Sequence, residues 1–362
     1  MTIPIARQYP PASGGIEFDG LGLVDEALER FFSDGMDRAA RMGAGYAGLW
    51  RALHAAAQGG KRVRPALVLS AYTGLGGPDP AAAAPVAAAF ELLHTALVLH
   101  DDVIDHDFKR RGVPNLAGVY RARAAGQGMS LEEAAHRGQS AAIIAGDLAL
   151  TGAYRLIAAA DLAADLRLTL LDELDSAVFA SAGGELLDVE FSGSREQPSL
   201  QEVLRMSRLK TAVYSFEAPL RAGALMAGAS ADALRTVATA GRCIGTAYQL
   251  VDDLLGMFGD EAVTGKSSTG DLAEGKCTPL IAYARLCPEW EQLAELLGGT
   301  PSRQDAARAR RLLEQCGARD YVEDLAECYA ARARAALAES VLPAALVAEL
   351  EGVLERAVQR RR

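Results

Sequence analysis

Apolar residues recur every three or four positions through almost the whole chain, in segments built from strong helix formers. Examples are "AAAAPVAAAFELLHTALVLH" (81–100), "LTLLDELDSAVFASAGGELLDVEF" (168–191) and "DYVEDLAECYAARARAALAES" (320–340). This spacing places apolar side chains on one side of an α-helix, and no segment shows the strict alternation of a half-buried strand. The sequence therefore predicts an all-α fold.

Proline and glycine cluster at the joints between these segments. The clusters lie at 74–80, 110–115, 195–199 and 297–302. This punctuation is typical of a helical bundle with short connections. Residues 1–15 carry Pro and Gly with little periodicity and are predicted to form a loose arm. No change of composition marks a second domain, so residues 16–362 are predicted to form one large domain.

Composition limits the partners and the compartment. The 362-residue chain is half apolar with a formal net charge of −10, and nucleic acid, which calls for a basic face, is not an expected partner. The five cysteines form no CxxC pair and are expected to be reduced thiols in a cytoplasmic protein. No apolar run reaches membrane-spanning length without a charged residue or His, so no membrane span is expected.

Two acidic clusters end apolar helical runs that are far apart in the chain. In "LVLHDDVIDHD" (97–107), Asp101 and Asp105 are four residues apart and share one helix face. In "YQLVDDLLGMFGD" (248–260), Asp252 and Asp253 are adjacent. Paired carboxylates repel one another unless a cation binds, and hard divalent ions prefer oxygen ligands. A solvated helix end explains either cluster alone, whereas two such clusters on facing helices favour magnesium ions that also bind substrate phosphates.

Basic and glycine-rich segments supply candidate phosphate ligands. They are "GGKRVRP" (59–65), "KRRG" (109–112), "LKTA" (209–212) and "GKSSTGDLAEGK" (265–276). Glycine lets the backbone approach an anion closely, and the guanidinium group matches the geometry of phosphate oxygens. Each segment alone is more often a solvated surface, and "GGK" lacks the spacing of a P-loop. Beside the two acidic clusters, they indicate a diphosphate substrate.

These segments, with "RRGVPN" and "AGDLAL" between them, resemble the trans-isoprenyl diphosphate synthases (polyprenyl synthetases) in order and spacing over nearly the whole chain. The resemblance implies a head-to-tail prenyltransferase that joins isopentenyl diphosphate to an allylic diphosphate and releases pyrophosphate. It also implies a helical bundle of the isoprenoid synthase type with a central active-site cavity, and a homodimer.

The resemblance further implies roles for individual residues. Asp101, Asp105 and Asp252 would bind Mg²⁺, with Asp102 and Asp253 as additional acids. The family binds three ions per active site when substrate is present. The residues that would bind isopentenyl diphosphate are Lys61, Arg64, His94 and Arg111. The residues that would bind the allylic diphosphate are Arg110, Lys210, Lys266 and Lys276. Thr211 and Gln249 would face the reacting carbons, and the catalytic set comprises Asp101, Asp105, Lys210, Thr211, Gln249 and Asp252.

Some positions depart from the family pattern or are expected to have no direct role. Asp188 is a further site candidate, in a segment that carries Glu185 where Gln is common. Gly256 stands where the second acidic motif usually ends in Asp, and activity is expected to survive this change. His100 and His106 are expected to be structural, because they project from other helix faces.

Product length is predicted from the helix that leads into Asp101. The growing prenyl chain is expected to run beside this helix, past Ala96, Leu97 and Leu93. Ala96 is small where short-chain members of the family often carry Phe or Tyr, so C20 geranylgeranyl diphosphate is the expected main product. A product of C25 or longer and a C15 farnesyl product remain open. A non-catalytic subunit of a heteromeric synthase and a class I terpene cyclase are less favoured, because both acidic motifs and the basic segments are kept.

Overall fold

The structure is a computed structural model of the chain. The residues it describes are 20–110, 112–193, 198–259, 272–273, 275–299 and 301–359. The predicted arm at 1–15 lies outside these residues, so that prediction is untested.

The described residues are almost entirely helical, which confirms the all-α prediction. The helices are α1 (Leu21–Ala40), α2 (Ala44–Ala57), α3 (Val63–Gly74), α4 (Pro80–Ile104), α5 (Leu116–Gly126), α6 (Leu131–Ala158), α7 (Ala164–Gly193), α8 (Leu200–Ser207), α9 (Ala218–Met226), α10 (Ala231–Phe258), α11 (Pro279–Ala284), α12 (Trp290–Ala294), α13 (Arg303–Gln315), α14 (Ala318–Ala338) and α15 (Ala344–Val358). A π-helical segment, Arg208–Glu217, joins α8 to α9. The described residues of each predicted Pro and Gly cluster lie at the ends of helices or between them.

One short β-hairpin interrupts the helices between α4 and α5. Strand β1 (Lys109–Arg110) pairs antiparallel with β2 (Val113–Pro114), with Lys109 opposite Pro114. Gly112 has φ +77°, in the left-handed region that glycine adopts without strain. Strands of two residues are too short to produce an alternating pattern, which is why the sequence did not reveal them.

Side chains at the helix starts define several of the boundaries. Ser130, Ser199 and Ser302 each accept a hydrogen bond from the backbone N–H three residues later. The acidic residue at that later position bonds back to the serine, which completes a capping box. Helix α4 begins with Pro80, and the Asp79 side chain accepts a hydrogen bond of 3.0 Å from the Ala81 N–H.

The helices group into two compact units. The first contains the described residues up to Leu174 together with Ala222–Gly228, and the second contains the described residues of Asp175–Arg221 and Ala229–Arg362. Helices α7 and α9 therefore contribute to both units. The prediction that 16–362 form a single domain stays a prediction.

In the first unit, α4 packs against α1, α3 and α6. The stretch from Val86 to Phe90 is completely buried, in keeping with a helix that is apolar on all sides. Gly152 on α6 allows close packing, since a Cβ there would overlap the Phe31 ring and lie 3.2 Å from Leu92. This packing holds the middle of α4 in the core of the first unit.

Helices α4 and α6 are long and apolar enough to cross a membrane by length and composition alone. The apolar window is 72% buried inside the protein in α4 and 44% buried in α6. The core helix of a soluble protein passes the same test, so the finding is weak evidence for a span. The predicted absence of a membrane span stays a prediction.

In the second unit, glycines bring three helical segments into close contact. Gly241 and Gly245 on α10 face the π-helical segment, where a Cβ on Gly245 would lie 2.8 Å from the Ala212 Cβ. On α7, a Cβ on Gly184 would overlap the backbone nitrogen of Lys210 and lie 2.7 Å from its Cα. The π-helical segment is therefore held at backbone distance from both α7 and α10.

We expect Gly184→Ala to lower the free energy of unfolding by about 1–3 kcal/mol, because the new methyl group meets backbone atoms that cannot rotate away. Gly183→Ala is a matched control on the same helix, since a Cβ there has no atom within 4 Å. The control is expected to be neutral or stabilising by up to about 1 kcal/mol, owing to the higher helix propensity of alanine. Chemical denaturation of the two variants checks this, and equal stabilities would contradict the close approach at Gly184.

Candidate active site

The first acidic cluster lies at the C-terminal end of α4. The Asp105 N–H donates to the Asp101 carbonyl at 2.9 Å, so the helical hydrogen-bond pattern continues through Asp105. The two side chains are therefore one turn apart on the same face, as the sequence spacing predicts. Both residues are partly exposed. Two carboxylates in this arrangement can approach a cation from the same side.

The acid between them, Asp102, is buried and paired with Arg110. It is 3% exposed, and its Oδ1 accepts hydrogen bonds from Arg110 Nε at 3.0 Å and Nη2 at 2.8 Å. Arg110 Nη2 also donates to Asp101 Oδ2 at 3.2 Å. Burial raises the pKa of Asp102, and the Arg110 guanidinium offsets part of that rise. Asp102 thus anchors Arg110 from the interior, while Asp101 and Asp105 are the more exposed acids.

The hairpin that carries Arg110 is held by Asn115. The Asn115 side-chain amide donates to the Asp107 carbonyl at 2.9 Å, and its Oδ1 accepts a hydrogen bond of 2.8 Å from the Gly118 N–H at the start of α5. The Arg121 guanidinium lies over the Phe108 ring, 4.3 Å from its centroid. These contacts fix the backbone around Arg110. The predicted site residue Arg111 lies outside the described residues.

The "GGKRVRP" segment comprises the loop before α3 and the first three residues of that helix, and Arg62 anchors it. Gly59 and Gly60 have φ of 81° and 83°, and Arg62 itself has φ 49°, which is unusual for a residue with a Cβ. Arg62 Nη1 donates to the Ala57 carbonyl and to Glu91 Oε1, both at 2.9 Å. These bonds stabilise the left-handed backbone of the loop.

Arg62 also forms an ion pair with Asp25 at 3.1 Å, and the side chains of Arg62 and Glu91 are only 14% and 8% exposed. Lys61 and Arg64, the predicted diphosphate ligands, flank Arg62 and are partly buried. Sequence analysis missed the pairing of Arg62 with Glu91. A glutamate inside the apolar run of α4 was the available signal, because a buried carboxylate needs a partner.

Three other predicted residues of the first unit lie on α4. Ala96 and Leu93 are completely buried, whereas Leu97 is partly exposed. His94 is partly buried on the same helix. Of the two histidines expected to be structural, His100 lies 3.5 Å from Asp147 Oδ1, and His106 follows the helix end with φ 56°.

In the second unit, the predicted residue Lys210 binds two carboxylates of α7. Its ammonium group lies 2.7 Å from Asp188 Oδ2 and 3.0 Å from Glu185 Oε2. Lys210 and Thr211 both belong to the π-helical segment, a geometry that frequently marks functional sites. The close approach at Gly184 brings α7 near enough for these contacts. The structure therefore places Glu185, which sequence analysis noted only as a departure, beside a predicted catalytic residue.

The second acidic cluster lies on the last turns of α10. Gln249 Nε2 donates to Asp253 Oδ1 at 2.9 Å, and both Asp252 and Asp253 are partly buried. Gly256 is buried one turn later. Lys276 is partly buried just before α11, and Lys266 lies outside the described residues.

The acidic residues fit magnesium without forming a complete cage. Across the part of the chain that the structure describes, no group of three or more His, Cys, Asp or Glu side chains is placed to hold a metal ion. Mg²⁺ is commonly bound by one or two carboxylates together with waters and substrate phosphates. Asp101 and Asp105, one turn apart and partly exposed, meet this requirement.

Comparison with known proteins decides the family. A family model described as polyprenyl synthetase matches residues 49–315. The chain belongs to the polyprenyl synthetase family. It is a polyprenyl diphosphate synthase, and its chemistry is that of a trans-prenyltransferase. The predicted family and enzyme class are confirmed.

The similarity extends over most of the chain. A geranylfarnesyl diphosphate synthase of Aeropyrum pernix is 34% identical over 286 residues, which are 78% of this chain and 84% of the relative. A (2E,6E)-farnesyl diphosphate synthase of Mycobacterium tuberculosis is 31% identical, over 83% of this chain and 80% of the relative.

Solved structures show the same fold. A geranylgeranyl pyrophosphate synthase from Corynebacterium glutamicum, crystallised with isoprenyl diphosphate and magnesium, matches with a TM-score of 0.89 and 29% identity. The match covers 96% of this chain and all of the other. The isoprenoid synthase type of helical fold is therefore confirmed.

We expect Glu91→Ala to lower the free energy of unfolding by about 2–4 kcal/mol, because it leaves the buried Arg62 guanidinium without its main carboxylate. Glu26→Ala is the control, since it removes one partner of the Glu26–Arg30 ion pair, in which both side chains are about two-thirds exposed. That loss is expected to stay below about 1 kcal/mol. Urea denaturation monitored by circular dichroism measures both, and a small loss for Glu91→Ala would contradict the anchoring role of the pair.

Proposed function

We propose that this enzyme condenses isopentenyl diphosphate with allylic diphosphates in a Mg²⁺-dependent reaction and makes mainly geranylgeranyl diphosphate. The observation that carries the proposal is a one-turn carboxylate pair, Asp101 and Asp105, at the end of α4, with the Arg110 guanidinium group of β1 bonded to Asp101. Opposite charges at one place suit a substrate that combines an anionic diphosphate with bound cations. The family and the retained basic residues support the same substrates.

The first unit is proposed to supply two groups of ligands. Asp101 and Asp105 would hold Mg²⁺ that accompanies the allylic diphosphate, and Arg110 would bind that diphosphate. Lys61, Arg64 and His94 would bind isopentenyl diphosphate. Arg62 keeps its pairing with Glu91 and holds in place both the loop that carries Lys61 and the start of α3, which carries Arg64. Arg111 is proposed for the same substrate from the resemblance alone.

The second unit is proposed to hold the leaving group and the reacting carbons. Asp252 would bind Mg²⁺, with Asp253 orienting Gln249 through their 2.9 Å hydrogen bond. Lys210 would contact the allylic diphosphate, and so would Lys266 and Lys276 by resemblance. Bound magnesium would neutralise charge on the departing pyrophosphate, and three ions are proposed from the resemblance.

The residues of this chain then favour breakage of the allylic C1–O bond. Cationic side chains bind the diphosphate more strongly as negative charge collects on it in the transition state. Thr211 and Gln249 would direct oxygen atoms toward the allylic carbons, where positive charge develops. The double bond of isopentenyl diphosphate attacks C1, and a proton leaves to pyrophosphate. This sequence of steps needs no nucleophilic side chain.

Product length is proposed from α4. Ala96 offers only a methyl group where the prenyl chain would pass, which supports growth beyond C15. Leu93 lies about one turn further from the acids, and it is completely buried. These two features support C20, while C25 or longer and C15 remain the alternatives.

We also propose that the enzyme is a cytoplasmic homodimer. Exposed apolar side chains on α6 and α7 support a partner of the same kind, since large apolar groups at the surface favour association. They include Ile144 at 49%, Phe179 at 82% and Leu186 at 59% exposure. All five cysteines are free thiols, which suits a reducing compartment.

The proposed chemistry is tested by incubating the protein with Mg²⁺, labelled isopentenyl diphosphate and each of the C5, C10 and C15 allylic diphosphates. Asp101→Asn and Asp252→Asn are expected to lower kcat by about 10³-fold or more, because each removes a charged oxygen ligand of the cation. Chelation of Mg²⁺ should abolish turnover, and added Mg²⁺ should restore it. Asp161→Asn, at an exposed position between α6 and α7, is the control and should turn over like wild type. Near wild-type rates in either site variant would refute the metal assignment.

Ala96→Phe is expected to shift the product toward C15, because a longer chain would have to displace a packed aromatic ring at a cost of about 1–3 kcal/mol. Val98→Phe places the same ring on another face of α4 and should leave the product lengths unchanged. Chromatography of the dephosphorylated products gives the lengths, and thermal unfolding shows whether the buried substitution is tolerated. Identical products from wild type and a folded Ala96→Phe variant would show that the chain does not pass Ala96.

A further inference from the structure

The ammonium group of Lys210 is bound by more negative charge than it carries. Asp188 Oδ2 lies at 2.7 Å, and the two carboxylate oxygens of Glu185 lie at 3.0 and 3.2 Å. Two carboxylates and one ammonium group give this cluster a net charge of −1 when all three are ionised. A diphosphate that approaches Lys210 therefore competes with two carboxylates for the same ammonium group.

The two acids are not equivalent. Asp188 makes the shorter contact, and its side chain is 11% exposed. Glu185 makes longer contacts, and its side chain is 21% exposed, as is that of Lys210. The close approach of Gly184 to the Lys210 backbone fixes α7 beside the π-helical segment. Asp188 thus makes the closer and more buried contact to the ammonium group, and Glu185 makes the longer and more exposed one.

We propose that Glu185 is a positioning residue that lowers the affinity of Lys210 for diphosphate and so favours release of pyrophosphate. The inference rests on the proposed function, in which Lys210 contacts the allylic diphosphate. Glu185 competes with the anion for the same ammonium group. A carboxylate that competes in this way weakens the binding of any diphosphate that must reach Lys210, whether substrate or product.

Glu185→Gln removes the negative charge of the side chain and keeps its size and shape. The amide oxygen still accepts a hydrogen bond from Lys210, and Asp188 still holds the ammonium group, so its position is retained while the competing charge is lost. We expect the Kd for inorganic pyrophosphate in the presence of Mg²⁺ to fall roughly threefold to tenfold. The KM for the allylic diphosphate should fall by a similar factor, while the KM for isopentenyl diphosphate stays within about twofold. A purely structural defect would not lower the KM for the allylic diphosphate while leaving the KM for isopentenyl diphosphate unchanged.

The control is Glu190→Gln, which removes the same charge from an exposed position on the same helix. It is expected to leave the pyrophosphate Kd unchanged. Glu185→Asp keeps the charge on a shorter side chain and should bind pyrophosphate with an affinity between those of wild type and Glu185→Gln. Circular dichroism confirms that each variant is folded, and isothermal titration calorimetry with inorganic pyrophosphate gives the affinities.

A double-mutant cycle with Lys210→Met tests whether Glu185 acts through Lys210. Without the ammonium group, Glu185→Gln should change the pyrophosphate Kd by much less than it does in wild type. An equal gain in both backgrounds would show direct repulsion of the anion and overturn the proposal. Unchanged or weaker binding by Glu185→Gln would also overturn it while wild type remains active. Failure of wild type itself to bind pyrophosphate or turn over substrate would instead refute the proposed function.

Discussion

Pairing between a basic side chain and a carboxylate on a neighbouring long helix organises both units of this enzyme. Arg62 pairs with Glu91 of α4, Arg110 pairs with Asp102 of α4, and Lys210 pairs with Asp188 of α7. A protein that binds diphosphates must gather cations, and partly buried cations are costly unless an opposite charge is near. The carboxylates on the helices offset this desolvation cost before any substrate binds, and they also fix the position of each cationic side chain.

The helices themselves were predictable because their signals are local. Apolar periodicity, serine caps and the Pro and Gly joints each lie within a few residues of the structure they specify, and the boundaries of α4, α6 and α13 follow from them. The one-turn arrangement of Asp101 and Asp105 was predictable for the same reason. The roles assigned to Lys210, Gln249 and Asp252 came from resemblance to the family rather than from spacing, and the structure adds their neighbours.

The ion pairs could not be predicted, because their partners are far apart in the sequence. Arg62 and Glu91 are separated by 29 positions, and Lys210 and Glu185 by 25. The π-helical segment around Lys210 was also invisible, since its residues read as ordinary helix formers. Glycines of α7 and α10 let its backbone pack closely against both helices. In the sequence, a glycine within a helix looks the same whether or not it has such a role. The hairpin at β1 and β2 was missed because two residues make no pattern.

Product length is a finer property than anything the fold determines. Relatives named for C15 and C25 products are 31% and 34% identical to this chain, so overall similarity does not distinguish between them. One or two side chains beside the growing hydrocarbon can decide the outcome, because an extra isoprene unit must fit without displacing packed atoms. In this chain the candidates differ in burial: Ala96 is enclosed within the packing of α4, whereas Leu97 is partly exposed. The small side chain of Ala96 therefore permits a longer product only where the side chains packed around it leave room. Those neighbouring side chains determine product length as much as Ala96 does.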